Sequence, residues 1–216
     1  MIREYVVGKN DNGYVLEFSV ALQNGIPADG NKIGLEFMYL DCDENGTFLE
    51  ALRWNADTAN GDTPPWQAPE CFGELVIGYR TGEMLGTSIG DVPYIKPDRI
   101  IIDGEFSSVW DNAATVAIDQ FNYGDENAST RGTAYMYWTD GKWYLFVDVK
   151  DADVTEPDPE MQQYAPWQTD SVEMFFDFGH AHSALVKQFR LDCSGYPSYY
   201  EENGNAYAYG EDAKNY

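Results

Sequence analysis

Histidine and cysteine, which occur in many catalytic and metal sites, are scarce in this sequence. The chain of 216 residues has two histidines and three cysteines. His180 and His182 have no nucleophile motif beside them, and the sequence contains no G-x-S-x-G, H-E-x-x-H or P-loop pattern. Cys42, Cys71 and Cys193 have no zinc-like spacing, so we expect buried thiols with at most one bridge. Acidic residues are so abundant that pairs of them do not indicate glycoside hydrolysis. These features predict a protein that is not an enzyme.

Basic residues are scarce as well, with 13 Lys and Arg against 37 Asp and Glu, and the formal net charge is -24. Nucleic acids and anionic membranes are bound mainly through basic groups, so we expect neither as a partner. The same charge attracts calcium, a hard cation that prefers carboxylate and carbonyl oxygens. We therefore expect calcium as a structural cofactor.

Long apolar runs are also missing. No stretch approaches the roughly 20 apolar residues that are needed to cross a membrane. Residues 1–5 lack the apolar core of a signal peptide. The alternatives are a cytoplasmic protein and a module of a longer secreted protein, and we expect the second, with an extracellular or cell-surface location.

Aromatic residues, in contrast, are abundant at 15% of the chain, and they lie in short runs with β-branched residues between turn residues. Asp140-Gly141 separates two such runs, which is typical of a β-hairpin. No window has a convincing helical period, and at most one or two helical turns are expected, within residues 108–117. Many short strands predict an all-β fold, an antiparallel two-sheet β-sandwich of jelly-roll or immunoglobulin-like type. The predicted strands span residues 13–20, 32–40, 47–54, 74–78, 133–138, 142–149, 171–177 and 188–192.

A segment rich in glycine and proline, residues 80–97, divides these strands into two groups. It has little hydrophobic pattern and is typical of a linker. The strand runs before and after it do not align with each other, so the chain has no internal repeat. We expect a single domain over residues 1–216, whose halves are residues 1–79 and 98–216.

The six tryptophans fall into two groups. Four lie within, beside or at the end of apolar runs, and we expect them in the core: Trp54, Trp110, Trp138 and Trp143. Trp66 and Trp167 lie in proline-containing loops, which can hold an indole face open to the apolar face of a sugar ring. The alternative for these two is that each folds down over the end of the sandwich.

Charged residues accompany Trp167 on two predicted strands. Asp170 and Glu173 follow it on one strand, and Arg190 lies on the next. The guanidinium can bridge two vicinal hydroxyls or clamp a carboxylate. Its alternative role is an ion pair with Glu173 or Asp170 that holds two strands in register. An aromatic plate beside carboxylates and an arginine suits a ligand with apolar faces and many hydroxyls, as sugars have.

Two acidic loops are candidates for calcium. Asp41 and Asp43 begin a D-x-D-x-N-G sequence, but Leu52 occupies the twelfth position, where an EF-hand needs a bidentate glutamate. The flanking strands make a hairpin turn the favoured alternative there. Asp151 and Asp153 begin the second loop, whose alternative is a solvated loop without metal. These four aspartates are the candidate ligands.

Several of these motifs together resemble the family 9 carbohydrate-binding modules that are attached to bacterial xylanases. Ile102-Asp103-Gly104, followed by Trp110, is similar to the family's opening strand, and residues 167–177 and 188–190 are similar to its sugar-site motif in type and order. Residues 66–73, WQAPECFG, resemble the family's closing W-x-x-P-x-x-F-G. The resemblance covers nearly all of the chain outside residues 80–97.

The order of the two halves differs from that of the family. Residues 1–79 resemble its C-terminal half and residues 98–216 its N-terminal half. We interpret this order as a circular permutation, which is tolerated where termini lie on exposed loops. The alternative is a fragment that straddles two tandem modules, with half of each, whose halves pair within one chain or between chains as a swapped dimer.

The resemblance implies a calcium-containing β-sandwich that binds the ends of cello- and xylo-oligosaccharides and of plant cell-wall polysaccharides. Such a module targets a covalently attached glycoside hydrolase such as a xylanase. Carried over to this sequence, the family's site has two indole plates, Trp66 and Trp167, and groups that hydrogen-bond the hydroxyls, Glu173, Arg190 and Asn60. The sequence departs from the family between Asn60 and Trp66 and directly after Trp167.

Two alternative functions stay open at this point. A haem-binding redox sandwich needs axial ligands such as His180, His182 or Met174. A structural or adhesion module would bind only calcium through its acidic loops.

Overall fold

The structure is a computed structural model that describes residues 2–21, 30–55, 64–78, 91–125, 130–139, 141–155, 157–180, 186–201 and 206–215. In chain order its strands are β1 (Ile2–Asn10), β2 (Gly13–Ala21), β3 (Lys32–Cys42), β4 (Phe48–Arg53), β5 (Gly73–Ile77), β6 (Asp91–Val92), β7 (Ala114–Ile118), β8 (Gln120–Gly124), β9 (Arg131–Thr139), β10 (Lys142–Lys150), β11 (Ser171–Asp177), β12 (Lys187–Asp192), β13 (Pro197–Glu201) and β14 (Ala206–Tyr209). One short helix, α1 (Pro159–Tyr164), precedes β11. None of the described helices has the length and apolar character needed to span a membrane.

The strands form two sheets, as the predicted sandwich requires. The first has five strands in the order β1-β2-β10-β9-β7. The second has nine, of which seven follow the order β14-β13-β12-β11-β3-β4-β8, while β5 lies beside β3 and β6 beside β5. Among the described strands every pairing is antiparallel except that of β5 with β6. The all-β fold class is confirmed.

The core lies between the sheets because apolar side chains alternate along the strands. Trp138 and Trp143 are fully buried in it, as predicted. Trp110 is buried in a second cluster on the outer face of the five-stranded sheet, together with Tyr144 and Phe146 of β10. All three cysteines are buried thiols, and none of them forms a disulfide bridge.

Strands from both halves of the chain alternate in the sheets. In the first sheet β2 pairs with β10, and in the second β3 pairs with β11 and β4 with β8. Residues 1–79 and 98–216 therefore share one core.

The segment that was predicted as a linker, residues 80–97, is partly built into this core. Residues 79–90 lie outside the described ranges. Val92 is fully buried in β6 beside β5, and Tyr94 pairs with Trp138 and packs on the edge of its indole. The linker prediction is thus wrong for residues 92–94, because their apolar side chains anchor the chain to β5 and β9.

All eight strands predicted from the sequence are present, and their ends differ from the prediction by no more than two residues. The sequence did not indicate β1, β6, β7, β8, β13 or β14. The helical turn predicted after residue 108 is a 3₁₀ turn, Ser108–Asn112, and the chain then continues directly into β7. These missed strands are short or lie at sheet edges, where one exposed face weakens the apolar pattern.

A buried carboxylate fastens the segment before β7 to β2. Glu17 is 1% exposed, and its carboxylate accepts hydrogen bonds from the backbone N–H groups of Asp103 and Gly104 at 2.8 and 2.7 Å and from Nε1 of Trp110 at 3.2 Å. Burial raises the pKa of Glu17, and the two backbone donors oppose that shift. The contact joins the two halves of the chain on the outer face of the five-stranded sheet.

We expect Glu17→Ala to lower the free energy of unfolding by about 3 kcal/mol, because three donors lose their acceptor and an unsatisfied buried donor costs roughly 1–3 kcal/mol. Glu17→Gln keeps one carbonyl acceptor and is expected to lose less. Glu4→Ala is the control, since the exposed side chain of Glu4 forms a surface ion pair with Lys142. Denaturant unfolding measures the free energy of unfolding of the three variants. Equal decreases for Glu17→Ala and Glu4→Ala would contradict the role of Glu17 in holding the segment before β7 to β2.

Candidate functional site

Side chains on the outer face of the nine-stranded sheet form two rows that cross several strands. In the first row Glu173 of β11 lies between Met38 of β3 and Arg190 of β12, and the row continues through Ser198 to Tyr209 of β14. Because side chains alternate between the two faces of a sheet, this row points away from the core. The register of β11 therefore aligns a carboxylate and a guanidinium side by side on the outer face of this sheet.

A second row lies beside the first, and each of its residues is two positions from a first-row residue on the same strand. The two rows together form the floor of a cleft. The second row contains Phe175, Gln188, Tyr200 and Tyr207. The cleft has a volume of about 460 Å³, which falls within the roughly 300–1,000 Å³ of small-molecule sites. It is lined by Met38, Leu40, Phe48, Trp66, Tyr123, Trp167, Glu173, Gln188, Arg190, Tyr200, Tyr207 and Tyr209.

The structure brings the two loop tryptophans, Trp66 and Trp167, to this one cleft. Trp66 lies on a 3₁₀ turn that begins with Pro65, and its ring stacks on Phe175 with 6.3 Å between ring centroids and 30° between planes. Trp167 is 41% exposed. A hydrogen bond from Oγ1 of Thr169 to the carbonyl of Pro166, at 2.8 Å, closes the turn that carries it. The prolines thus hold both indoles outside the core.

Glu173 and Arg190 form an ion pair on the floor of the cleft. Glu173 is 0% and Arg190 6% exposed, and Nη2 of the arginine contacts Oε1 of the glutamate. Burial lowers the pKa of Arg190 to about 10, so the guanidinium stays charged at neutral pH. Glu173 Oε2 and Arg190 Nε have no hydrogen-bond partner among the described residues. Buried polar atoms are nearly always paired, so these two atoms have hydrogen-bonding capacity left for a polar ligand or a water molecule.

The tyrosines of the cleft were not identified from the sequence. Tyr200, Tyr207 and Tyr209 come from β13 and β14, and Tyr123 comes from β8. Burial raises the pKa of both Tyr123 and Tyr209, and the charge of Arg190 opposes that rise. The alternation of alanine and tyrosine along β14 was the available signal, but the strand is only four residues long.

Of the two remaining candidate sugar-binding residues, the structure describes one, and that one lies away from the cleft. Asn60 lies outside the described residues. Asp170 is fully buried just before β11, where its two carboxylate oxygens accept hydrogen bonds from the backbone N–H groups of Cys42 and Thr155, both at 2.8 Å. The prediction that Asp170 contacts sugar is therefore corrected, because the backbone of two other segments occupies its carboxylate.

Asp170 lies instead in a cluster with Asp41 and Asp151. One carboxylate oxygen from each lies within 4.8 Å of the others, and all three residues are buried. Tyr39 donates to Asp151 at 2.8 Å and Thr130 to Asp41 at 3.3 Å. Burial, together with the charge of Asp151, raises the pKa of both Asp41 and Asp170 to about 7. Three carboxylates held this close are suited to a hard divalent cation.

The other two candidate metal ligands, Asp43 and Asp153, lie outside this cluster. Oδ1 of Asp43 accepts hydrogen bonds from the backbone N–H groups of Asn45 and Thr47, both at 2.8 Å. Its carboxylate therefore closes the turn between β3 and β4, and the hairpin alternative for this loop is confirmed. Asp153 is exposed, and only its backbone N–H reaches the cluster, where it donates to Asp151 at 2.9 Å.

The residues considered as haem ligands are placed apart from the cleft. Met174 is fully buried between the two sheets. Nε2 of His180 lies 3.0 Å from Oε2 of Glu74, which is a residue of β5. His182 is not among the described residues. Neither of the two described positions, Met174 and His180, lines the cleft, so the described geometry does not favour a haem site there.

The chain is similar to segments of large bacterial enzymes. It is 26% identical over 176 residues to exoglucanase XynX of Acetivibrio thermocellus, and this alignment covers 82% of this chain and 14% of that protein. It is 27% identical over 176 residues to endo-1,4-beta-xylanase A of Thermoanaerobacterium saccharolyticum, an alignment that covers 82% of this chain and 13% of that protein. It is also 27% identical over 173 residues to endo-1,4-beta-xylanase C of Paenibacillus barcinonensis, an alignment that covers 80% of this chain and 14% of that protein. The chain thus spans only a small part of these relatives. No solved structure gives a significant match.

A sequence model of one family matches most of the chain. The family is described as carbohydrate family 9 binding domain-like, and the match covers residues 3–78 and 102–214. It includes the segments of both tryptophan motifs and both rows of the cleft. The resemblance noted in the sequence is confirmed, and the chain belongs to the carbohydrate family 9 binding domain-like family.

Proposed function

We propose that this chain is a non-catalytic module that binds carbohydrate in the cleft of the nine-stranded sheet. The observation that carries the proposal is the position of two indoles beside the buried, unpartnered atoms of Glu173 and Arg190. A sugar ring has apolar faces and a rim of hydroxyls, so one ligand uses both kinds of surface. Membership in a family of carbohydrate-binding domains supports the same function.

In the proposed complex Trp66 and Trp167 stack on the two faces of one ring. Arg190 donates from Nε to a hydroxyl, and Glu173 accepts from another at Oε2. Because the glutamate already contacts the guanidinium through Oε1, the arginine is oriented before the ligand arrives. Such preorganisation reduces the entropy that is lost on binding. From the family resemblance we infer that the ligands are the ends of cello- and xylo-oligosaccharides and of plant cell-wall polysaccharides.

We also infer that the module acts as part of a larger extracellular protein. The similar proteins are an exoglucanase and two endo-1,4-beta-xylanases, and the aligned segment is 13–14% of each. A binding module of this kind would hold a covalently attached glycoside hydrolase at its polysaccharide. The net charge of -24 disfavours nucleic acids and anionic membranes as partners.

Trp66→Ala and Trp167→Ala are each expected to weaken the binding of cellobiose or xylobiose by about 30-fold, because loss of a central aromatic anchor costs about 2 kcal/mol or more. Titration calorimetry measures the affinities. Phe121→Ala is the matched control, since Phe121 is 43% exposed but does not line the cleft. If both tryptophan variants bind like the parent, the two-tryptophan site is ruled out.

The same titration tests the recognition of chain ends. Reduction of the sugar's anomeric end to an alditol opens the terminal ring, so stacking and hydroxyl geometry are lost there. We expect the affinity to fall by about tenfold or more, which corresponds to about 1.4 kcal/mol. An alditol that binds as tightly as the parent sugar would refute end recognition and leave the site itself unaffected.

We further propose that calcium is a structural ion of this module, held by Asp41, Asp151 and Asp170. The fit is supported by their three buried carboxylates and by Glu50, which pairs with Asp41 across β3 and β4. Oε2 of Glu50 is buried without a hydrogen-bond partner among the described residues. Calcium takes several carboxylate oxygens at once, so it would neutralise charges that otherwise repel each other.

Asp41→Asn is expected to have opposite effects with and without calcium. In chelator at pH 8 it should raise the melting temperature, because one of three repelling buried charges is removed. With saturating calcium it should lower the melting temperature, because the ion loses a ligand. Asp153→Asn, outside the cluster, should change little in either condition. A shift of the same sign for Asp41→Asn in both conditions would contradict the calcium site.

The pH dependence in chelator has a defined sign. The folded-state pKa of Asp41 and Asp170, about 7, lies above the unfolded value of about 3.9. The folded protein therefore binds more protons between these values, and its stability falls as the pH rises from about 4 to about 7. Calcium is expected to remove this fall, because it replaces the protons.

We propose, finally, that the halves of this chain are joined in the reverse of the family's usual order. The likeness of residues 1–79 to the C-terminal half of the family and of residues 98–216 to its N-terminal half supports this order. The last turn, Gly210–Asn215, contacts β1, so residues near both ends of the chain meet in the folded domain.

A rearranged chain in which residues 91–216 precede residues 1–79 tests this order, because it keeps β6 and Tyr94. Because every strand pairing among the described residues is kept, we expect the rearranged chain to elute as a monomer in size-exclusion chromatography. Its affinity for the same disaccharides should lie within about threefold of the original, or roughly 0.7 kcal/mol. The original chain is the control. A rearranged chain that fails to fold, or an original chain that folds only as a dimer, would favour the tandem-fragment alternative.

A further inference from the structure

Two tyrosines extend the cleft beyond the residues that have been given a role. Tyr207 and Tyr209 lie on β14, at the edge of the nine-stranded sheet, and both line the cleft. The register runs from Arg190 through Ser198 to Tyr209, so the second tyrosine is two strands away from the arginine. At the usual strand spacing this separation is about 10 Å.

The rings of Tyr207 and Tyr209 form an open aromatic step. Their centroids are 6.0 Å apart and their planes are inclined by 34°. Tyr207 is 64% exposed, more than Trp167 at 41%. Between the two tyrosines, Ala208 is buried in the main core. The strand is therefore anchored by its inner face, while its outer face presents aromatic surface to solvent, above all at Tyr207.

This aromatic step also has polar groups suited to hydroxyls. Burial raises the pKa of Tyr209, and Arg190 only opposes that shift, so the phenol stays protonated at neutral pH and both donates and accepts hydrogen bonds. Gln188 and Tyr200 occupy the row between β11 and β14. A path of amide and hydroxyl groups thus leads from the tryptophans to the tyrosines along one face of the sheet.

We propose that Tyr207 and Tyr209 form a second saccharide subsite, which stacks sugar units beyond the first two of a bound chain. The inference rests on the proposed carbohydrate-binding function. One pyranose with its linking oxygen spans about one strand-to-strand step, and the tyrosines lie two steps from Arg190. Tyrosine suits this position because it offers a large apolar face with a wet polar tip and loses little conformational entropy on contact.

The test compares ligands of increasing length. Titration calorimetry with disaccharides, trisaccharides and tetrasaccharides of the cello and xylo series is made on the parent, Tyr207→Ala and Tyr207→Phe. For Tyr207→Ala we expect disaccharide affinity within about twofold of the parent and tetrasaccharide affinity lower by about fivefold, which is near 1 kcal/mol. Tyr207→Phe keeps the ring and should bind every length like the parent. Phe121→Ala, an exposed aromatic outside the cleft, is the control for a general loss of apolar surface.

The outcomes separate this subsite from the function on which it rests. Disaccharide binding that is intact in Tyr207→Ala, with a selective loss for longer chains, supports the subsite. An equal loss at every length, an equal loss in Tyr207→Phe, or a parent that binds tetrasaccharides no more tightly than disaccharides overturns it and leaves the proposed function standing. A parent that binds none of these sugars overturns the proposed function itself. Unchanged melting temperatures of the variants show that an effect is not caused by unfolding.

Discussion

Pairing of β11 with β3 brings together residues that are far apart in the sequence, and both candidate sites depend on it. It sets Glu173 beside Met38 on the outer face of the sheet and Ser171 beside Leu40 near the end of the sandwich. A shift of one residue in this register would turn the outer row of side chains into the core, because the side-chain period of a strand is two. The apolar residues of the inner face make such a shift costly.

The cleft and the carboxylate cluster lie at the two ends of one short stretch of chain. Trp167 faces the cleft, and Asp170, three residues later, accepts a hydrogen bond from the backbone of Cys42 at 2.8 Å. Buried ion pairs and clustered carboxylates contribute little to stability, and they cost desolvation energy unless they are compensated. The two proposed ligands, a sugar at Glu173 and Arg190 and a cation at Asp41, Asp151 and Asp170, would each supply such compensation.

Much of the fold was predictable because the inner strands have strong patterns. β10 is buried on both faces, and the Asp-Gly pair before it is a hairpin signal, so both were found. Trp66 and Trp167 were identified by the prolines around them, and Glu173 and Arg190 by their place on strands. Short edge strands were missed, and with them the tyrosines of β14. The placement of Asp170 was not predictable, because it depends on backbone donors supplied by distant segments.

The central claim is that carbohydrate binds on the outer face of the nine-stranded sheet, between the tryptophans and above the buried ion pair. A crystal structure of the protein with bound cellotriose or xylotriose tests it most directly. The account predicts electron density for a sugar ring in contact with both Trp66 and Trp167, with its hydroxyls within hydrogen-bond distance of Arg190 and Glu173. Sugar bound at the five-stranded sheet, or at the edge of either sheet with an empty cleft, would contradict it.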